Sequence, residues 1–99
     1  MKLINLKIEQ IRKLCEIHKV KNLFAFGSVL TKNFNEKSDI DLLVNFGDVQ
    51  LLDYSDNYFD LKFALENLFN KPVDLLEEKA IKNPYFKENI EKTKQLIYE

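Results

Sequence analysis

The sequence predicts a mixed α/β fold, in which a small mixed β-sheet of three to four strands packs against about four helices. Three observations predict it. Apolar side chains recur at helical spacing in several segments, short apolar runs typical of strands lie between them, and polar or proline-containing stretches separate the two kinds of segment. Strands that alternate with helical segments are typical of α/β architectures. A length of 99 residues corresponds to one domain, residues 1–99.

In the first half of the chain, the apolar spacing from Ile4 to His18 predicts a helix of roughly residues 4–18. Asn33 to Lys37 form a polar connection between two apolar runs. The elements expected around this connection are a strand over about 22–26, a short helix over about 28–33 and a strand over about 39–46.

In the second half, Asp53 is a candidate cap for a third helix, and Asn70 tolerates the left-handed conformation that ends helices. Pro72 prevents the helix from continuing, and Asn83-Pro84 is a good cap and first residue for a fourth helix. The predicted elements are a helix over about 54–69, a strand over about 73–77, a helix to about 94 and a short final strand over 96–98.

Composition limits the possible functions. The net charge is −1, from 15 basic and 16 acidic residues, and the lysines are scattered singly. No basic stripe is present, so direct binding of nucleic acid is not expected. Cys15 is the only cysteine, which excludes an internal disulfide, and its helical position predicts a core or boundary residue. No apolar run approaches membrane-spanning length, so no membrane partner and a cytoplasmic location are expected.

Two carboxylates open the second apolar run. Side chains alternate along a strand, so Asp39 and Asp41 share one face while Ile40, Leu42 and Val44 form an apolar opposite face. The two aspartates are separated by roughly 6.6 Å at the usual strand rise. Without a cation they repel by ~3 kcal/mol at an effective dielectric constant near 20. The pair is either a polar strand start or a site for one or two Mg²⁺ ions, which prefer oxygen ligands.

Asp74 and the Gly27-Ser28 pair favour the metal interpretation. Asp74 lies between Val73 and Leu75, so a strand there that pairs beside the first would place a third carboxylate on the same face. Its alternative role is a structural one, in accepting a backbone hydrogen bond or in pairing with Lys32 or Lys71. Glycine at position 27 lets the backbone approach a ligand closely, and Ser28 offers a hydroxyl donor. Together, these residues predict a site for a metal–nucleotide complex.

This combination of motifs resembles that of a known family. Gly27-Ser28, ten intervening residues, Asp39-Ile40-Asp41 and Asp74 in a later Val-Asp-Leu strand resemble the nucleotidyltransferase superfamily of the DNA polymerase β type. More narrowly, the chain resembles the minimal nucleotidyltransferases, the antitoxin halves of HEPN/MNT toxin–antitoxin modules. The resemblance covers nearly the whole chain.

The resemblance implies a function and a site. Asp39, Asp41 and Asp74 would be the catalytic residues and the ligands of two Mg²⁺ ions, and Gly27, Ser28 and Lys32 would bind the triphosphate of ATP. The expected reaction transfers AMP to a hydroxyl group, that of a tyrosine, on a cognate HEPN ribonuclease toxin. Two alternatives stay open: an antitoxin that acts by binding alone, and a transferase with a small-molecule or RNA acceptor.

The chain departs from the family pattern in one respect. Many relatives carry Arg and Gly just after the Gly-Ser pair, whereas this chain has Val29 and Leu30. Lys32 either substitutes as a point charge, which lacks the fork of a guanidinium group, or is a solvated surface lysine.

The segment from Leu51 to Phe59 is rich in aromatic and acidic residues. It is either a surface for a partner or, as the individual residues favour, a stretch in which Tyr58 and Phe59 belong to the core and Tyr54 is half-buried.

Overall fold

A computed structural model describes residues 1–99. The chain forms four α-helices, four β-strands and three short 3₁₀ turns. The helices are α1 (Lys2–Leu6), α2 (Ile8–Ile17), α3 (Tyr54–Phe69) and α4 (Pro84–Thr93). The strands are β1 (Val20–Phe26), β2 (Ile40–Phe46), β3 (Val73–Glu77) and β4 (Gln95–Tyr98). The 3₁₀ turns cover Gly27–Leu30, Leu51–Asp53 and Glu78–Ala80.

The four strands form one mixed sheet in the order β3-β2-β1-β4. β1 is antiparallel to both β2 and β4, and β2 is parallel to β3. The parallel pair is connected through α3, a crossover of the kind that parallel neighbours require. The predicted fold class, a small mixed sheet with about four helices, is confirmed.

The strand alternation divides the apolar residues between the two faces of the sheet. Ile40, Leu42 and Val44 are buried on the face that packs against α1, α2 and α3, where the main core lies. On the opposite face, Leu43 packs in a smaller cluster with Phe26 and with Ile90 of α4. Asp41 belongs to this second face, because it alternates with Ile40 and Leu42.

Several predicted helix ends are confirmed. Asn70 has φ 54° and ends α3 in the left-handed conformation. The side chain of Asn83 accepts hydrogen bonds from the amides of Tyr85 and Phe86 at the start of α4. Cys15 is fully buried in the main core, where burial raises the pKa of its thiol to about 12.

Other details differ from the sequence prediction. The helix expected over 4–18 is two helices, because the chain leaves helical geometry at Lys7, with φ −118°, and Ile4 and Ile11 are buried on either side of the break. The short helix after β1 ends at Leu30 rather than at residue 33. Asp53 precedes α3 but makes no capping hydrogen bond with its side chain. None of the helices combines the length and the apolar character needed to cross a membrane.

Candidate active site

The turn that follows β1 has a left-handed residue beside a carboxylate, a position that favours glycine. Gly27 has φ +74°, a conformation that other residues rarely adopt. A Cβ atom at this position would lie 2.5 Å from Oδ2 of Asp41. The turn is closed by Thr31, whose amide and hydroxyl both donate to the carbonyl oxygen of Ser28 at 2.9 Å. The backbone at Gly27 is therefore exposed beside a carboxylate.

The chain beyond this turn is held beside the starts of β2 and β3. Oγ of Ser28 lies 3.5 Å from the carbonyl oxygen of Asp39, at the outer limit of a hydrogen bond. The amide of Ile40 donates to the carbonyl oxygen of Pro72 at 3.0 Å, which fixes where β3 begins relative to β2. These contacts bring the Gly-Ser turn and the two acidic strands to one end of the sheet.

Lys71 anchors the loop before β2. Its ammonium group donates to the carbonyl oxygens of Asn35, Glu36 and Ser38 at 2.9, 2.8 and 3.2 Å. None of the salt bridges in the structure includes Asp39, Asp41 or Asp74. The ion pairs considered for Asp74, with Lys71 or Lys32, are therefore not formed.

The two strands place Asp41 and Asp74 side by side. In the parallel β2–β3 pair, Asp41 is the register partner of Asp74, so both side chains leave the same face of the sheet. Asp39 precedes β2 by one residue and is exposed. Burial, followed by the negative charges of Asp74 and Asp39, raises the pKa of the Asp41 carboxyl group. We call these three residues the acidic row.

The acidic row has donors that suit a hard cation, but its side chains do not converge on one point. No group of three His, Cys, Asp or Glu side chains in the chain is arranged so that it could hold a metal ion by itself. Mg²⁺ usually binds through one or two carboxylates and completes its shell with waters and substrate phosphates. The residues present fit that kind of ligand set, because the oxygen donors are adjacent and their mutual repulsion is not relieved by any lysine.

A cavity of about 650 Å³ opens between the Gly-Ser turn and α4. It is large enough for a nucleotide, since small-molecule sites commonly measure roughly 300–1,000 Å³. Gly27 and Asp41 line it at one end. The remaining lining residues come from β1, the turn after it, α4 and β4: Phe26, Leu30, Thr31, Phe86, Asn89, Ile90, Thr93 and Gln95. We call it the turn cavity.

The predicted site residues are not all placed alike. Gly27 and Asp41 line the turn cavity, whereas Ser28, Asp39 and Asp74 lie beside it at the strand ends. Lys32 is exposed in the loop after the turn and does not line the cavity. The roles of these residues, in catalysis, triphosphate binding and metal binding, remain predictions.

Sequence reasoning did not identify the α4 side of the turn cavity. Phe86, Asn89 and Thr93 lie on one side of α4, and the rings of Phe86 and Phe26 pack edge to face at 6.2 Å. The spacing of Asn89 and Thr93, one helical turn apart, was a signal for a shared polar face. Nothing in the sequence indicated that this face would meet the Gly-Ser turn.

The chain belongs to the nucleotidyltransferase domain family, whose model matches residues 7–97. It is therefore a nucleotidyltransferase, and its predicted resemblance to the minimal nucleotidyltransferases is confirmed. Similar proteins include two from Methanocaldococcus jannaschii that are named as candidate protein adenylyltransferases. One is 45% identical over 83 residues, which are 84% of this chain and 80% of the relative. The other is 40% identical over 81 residues, 82% of this chain and 78% of the relative.

Solved structures share the fold. A candidate minimal nucleotidyltransferase superposes with a TM-score of 0.77 at 30% identity, covering 95% of this chain and 92% of that one. A toxin–antitoxin structure with AMP-PNP gives a TM-score of 0.71 at 19% identity, covering 92% and 72%. A tri-AMPylated HEPN toxin of Shewanella oneidensis in complex with its MNT antitoxin gives 0.65 at 18% identity, covering 95% and 71%.

Proposed function

We propose that this chain is an antitoxin that transfers AMP from Mg-ATP to a hydroxyl group, that of a tyrosine, on a cognate HEPN-domain ribonuclease toxin. The observation that carries the proposal is the pairing of Asp41 with Asp74 beside the glycine turn and the nucleotide-sized cavity. The names of the relatives support AMP transfer to a protein. Structural neighbours of this chain form toxin–antitoxin complexes, and these support a HEPN toxin as the partner.

ATP binding is assigned to the turn cavity. The triphosphate lies against the backbone at Gly27, where the absence of a Cβ atom allows close approach, and Ser28 donates its hydroxyl. The base extends toward α4, where the ring of Phe86 offers a stacking surface and Asn89 offers an amide. A structural neighbour with AMP-PNP supports a nucleoside triphosphate as the ligand.

The acidic row would hold the divalent metal. Asp39, Asp41 and Asp74 are its candidate ligands, with phosphate oxygens of the nucleotide completing the set. When bound, two magnesium ions neutralise phosphate charge and lower the pKa of the attacking hydroxyl group. Lys32, outside the cavity, is assigned only long-range attraction for the triphosphate.

The residues of the chain then have separate roles in the transfer. The acceptor oxygen forms a bond to the α-phosphorus, the bond from that phosphorus to the β-phosphate oxygen breaks, and pyrophosphate leaves. Asp74 is exposed at the strand end and receives the proton of the acceptor hydroxyl. Gly27 and Ser28 keep the triphosphate in place while the leaving group departs.

Transfer of label from ATP labelled at the α-phosphate tests this proposal. The unaltered chain is expected to label its HEPN-domain partner, and Asp41→Asn is expected to abolish the labelling. Asp48→Asn, which removes an exposed aspartate from the loop after β2, is the matched control and should label normally. Undiminished labelling by Asp41→Asn would refute the assigned role of the acidic row.

A second candidate function is neutralisation by binding alone. The residues after the Gly-Ser pair favour this function, because they include no arginine that could bind the triphosphate. Val29, the first of them, is buried in the core. A double variant, Asp39→Asn with Asp41→Asn, distinguishes the two functions. If it neutralises the toxin as well as the unaltered chain does, binding alone is sufficient; if neutralisation is lost while binding persists, AMP transfer is required.

A further inference from the structure

A second groove lies at the outer border of the sheet, between α3 and the edge strand β3. Its volume is about 420 Å³. Most of its lining is apolar or aromatic and comes from α3, from β3 and from the 3₁₀ turn that follows β3. These lining residues are Tyr54, Tyr58, Phe59, Leu75, Leu76 and Ala80. We call it the edge groove. The nucleotide and metal assignments above make no use of it.

Apolar surface continues outward from the edge groove along α3. Phe59 is 45% exposed and its ring stacks at 5.9 Å on that of Phe63, which is 52% exposed. Just before α3, Leu51 and Leu52 are 88% and 95% exposed. The expectation that Phe59 belongs to the core is therefore wrong, because only Leu61, Leu65 and Phe69 of α3 are buried. The exposed, stacked pair Phe59 and Phe63, which continues a mostly apolar groove, favours an interaction surface.

The surroundings of the edge groove are mainly acidic. Asp53, Asp56 and Asp60 are exposed at the start and along the first turns of α3, and Glu77 lines the groove itself. Two lysines are nearby: Lys79, whose ammonium group lies 4.6 Å from the centre of the Tyr54 ring, and Lys62, 5.9 Å from that of Phe63. Four carboxylates against two ammonium groups leave a negative balance, which favours a partner with a basic face.

The edge groove adjoins the acidic row. Asp74 directly precedes Leu75 and Leu76, which line the groove, and the hydroxyl of Tyr58 donates to the carbonyl oxygen of Leu75. The turn cavity meets the acidic row from the other direction, at Asp41 on β2, the strand next to β3. In the order of the strands, the turn cavity therefore lies on the β1 side of the acidic row and the edge groove on the β3 side, and Leu76 of the groove leaves β3 on the same face as Asp74. In-line phosphoryl transfer needs the attacking and leaving oxygens on opposite sides of phosphorus.

We propose that the edge groove, with Phe63 beside it, docks the polypeptide that carries the acceptor hydroxyl. This inference rests on the proposed function. The docked polypeptide places an apolar side chain against Phe59 and basic residues opposite Asp56 and Asp60. A ribonuclease has such a basic face, because it must bind the phosphates of RNA. Docking through that face delivers the acceptor hydroxyl beside Asp74.

The test compares docking variants with matched controls in a complex with the HEPN-domain partner. The apolar docking variant is Phe59→Ser with Phe63→Ser, and its control is Leu6→Ser with Ile17→Ser, two exposed apolar residues of α1 and α2. Dissociation constants for the partner and for Mg-ATP are measured by calorimetry, and the KM for the partner is measured by label transfer. The docking variant is expected to bind the partner roughly 10-fold or more weakly, with unchanged Mg-ATP affinity, and the control is expected to match the unaltered chain.

Charge reversal provides an independent variant. Asp56→Lys with Asp60→Lys is expected to raise the KM for the partner and to reduce its dependence on salt, whereas Glu9→Lys on α2 changes neither. Unchanged partner affinity in both docking variants overturns the docking proposal while leaving AMP transfer intact. A third outcome is that the docking variants weaken partner binding but the unaltered chain transfers no AMP. That outcome supports the edge groove as the docking surface and overturns the enzymatic proposal. Failure of the unaltered chain to bind the partner overturns both.

Discussion

Asp41 and Asp74 are register partners in the parallel pair of strands β2 and β3, and their carboxylates leave the sheet on the same face without a lysine or arginine partner. An arrangement like this costs free energy of folding, because like charges repel and Asp41 is partly removed from water. Proteins keep such an arrangement where a ligand relieves it. In this chain, the glycine turn and the turn cavity lie beside it, so the ligand expected there is a metal-bound nucleotide.

The repulsion at Asp41 predicts that Asp41→Asn stabilises the chain in the absence of Mg²⁺ and nucleotide. The folded state raises the pKa of this carboxyl group above its ordinary value of 3.8. The native state then binds the proton more tightly than the unfolded state does. The contribution of this group to the free energy of unfolding therefore falls as the pH rises from 3.8 to the raised pKa of the folded state. In urea unfolding at pH 7, Asp41→Asn should therefore have a higher free energy of unfolding than the unaltered chain. The difference should shrink as the pH is lowered toward 3.8.

The control for this measurement is Asp48→Asn, which changes an exposed aspartate of the loop after β2. It should leave the unfolding curve nearly unchanged at both pH values. If Asp41→Asn lowers the free energy of unfolding at pH 7, then the Asp41 carboxylate contributes favourable contacts that outweigh the repulsion, and the electrostatic account of the acidic row is wrong.

A methyl group at position 27 is expected to damage both stability and nucleotide binding. Gly27→Ala would place a Cβ atom 2.5 Å from Oδ2 of Asp41, so the carboxylate must shift, and it would do so at a residue with φ +74°. The left-handed backbone alone costs about 1–2 kcal/mol for a residue with a Cβ atom. Denaturation measures the loss of stability, and calorimetry with Mg-ATP measures the loss of affinity.

Gly47→Ala is the matched control for this change. Its added Cβ atom would lie 3.4 Å from the carbonyl oxygen of Lys19, far from the turn cavity. We expect it to bind Mg-ATP with the affinity of the unaltered chain. Normal Mg-ATP affinity in Gly27→Ala would mean that the triphosphate does not lie against this turn.

The α4 side of the turn cavity is expected to contribute to nucleotide affinity and base choice. Asn89→Ala removes an amide that can hydrogen-bond to the base, and loss of one neutral hydrogen bond weakens binding by about threefold to tenfold. Phe86→Ala removes the stacking surface and should weaken ATP and GTP alike. Titrations of each variant with ATP and GTP separate the two effects.

Asn67→Ala changes an exposed asparagine of α3, outside the residues that line the cavity, and serves as the comparison. Its dissociation constants should equal those of the unaltered chain. If Asn89→Ala and Phe86→Ala also leave both nucleotides bound normally, the base does not extend toward α4.

The Cys15 thiol is expected to be unreactive in the folded chain. It is fully buried, and burial raises its pKa from 9.0 to about 12, so it stays protonated at pH 8. Reaction with a thiol-specific disulfide reagent at pH 8 should be slow without denaturant and fast in concentrated urea. Between pH 9.0 and about 12, the thiol ionises in the unfolded chain but not in the folded chain. The contribution of Cys15 to the free energy of unfolding therefore falls as the pH rises through this range. Fast stoichiometric labelling of the native chain would contradict the buried position.

The features that the sequence predicted well are those set by local patterns. The two-residue alternation in β2 identified its buried and polar faces, and Asn70 and Asn83 identified helix boundaries by their backbone preferences and capping oxygens. The break at Lys7 was missed, because the helical spacing of isoleucines continues across it.

Long-range packing explains the remaining differences. The meeting of α4 with the Gly-Ser turn depends on how the chain passes from β3 to β4, and no pattern within α4 determines which residues it faces. Phe59 was expected in the core, since an aromatic residue beside Tyr58 at helical spacing usually is buried. Its exposure follows from the rotation of α3, which directs Leu61 and Leu65 inward.

The hydroxyl of Tyr58 also affects how copies of this protein behave at high concentration. β3 is the last strand on its side of the sheet, and such strands invite a neighbouring molecule to extend the ladder. By donating to the carbonyl oxygen of Leu75, Tyr58 occupies an acceptor that an incoming strand would otherwise use. The same aromatic ring that shapes the edge groove therefore discourages fibre-like stacking, and removing the hydroxyl with Tyr58→Phe would make the purified chain more prone to aggregate.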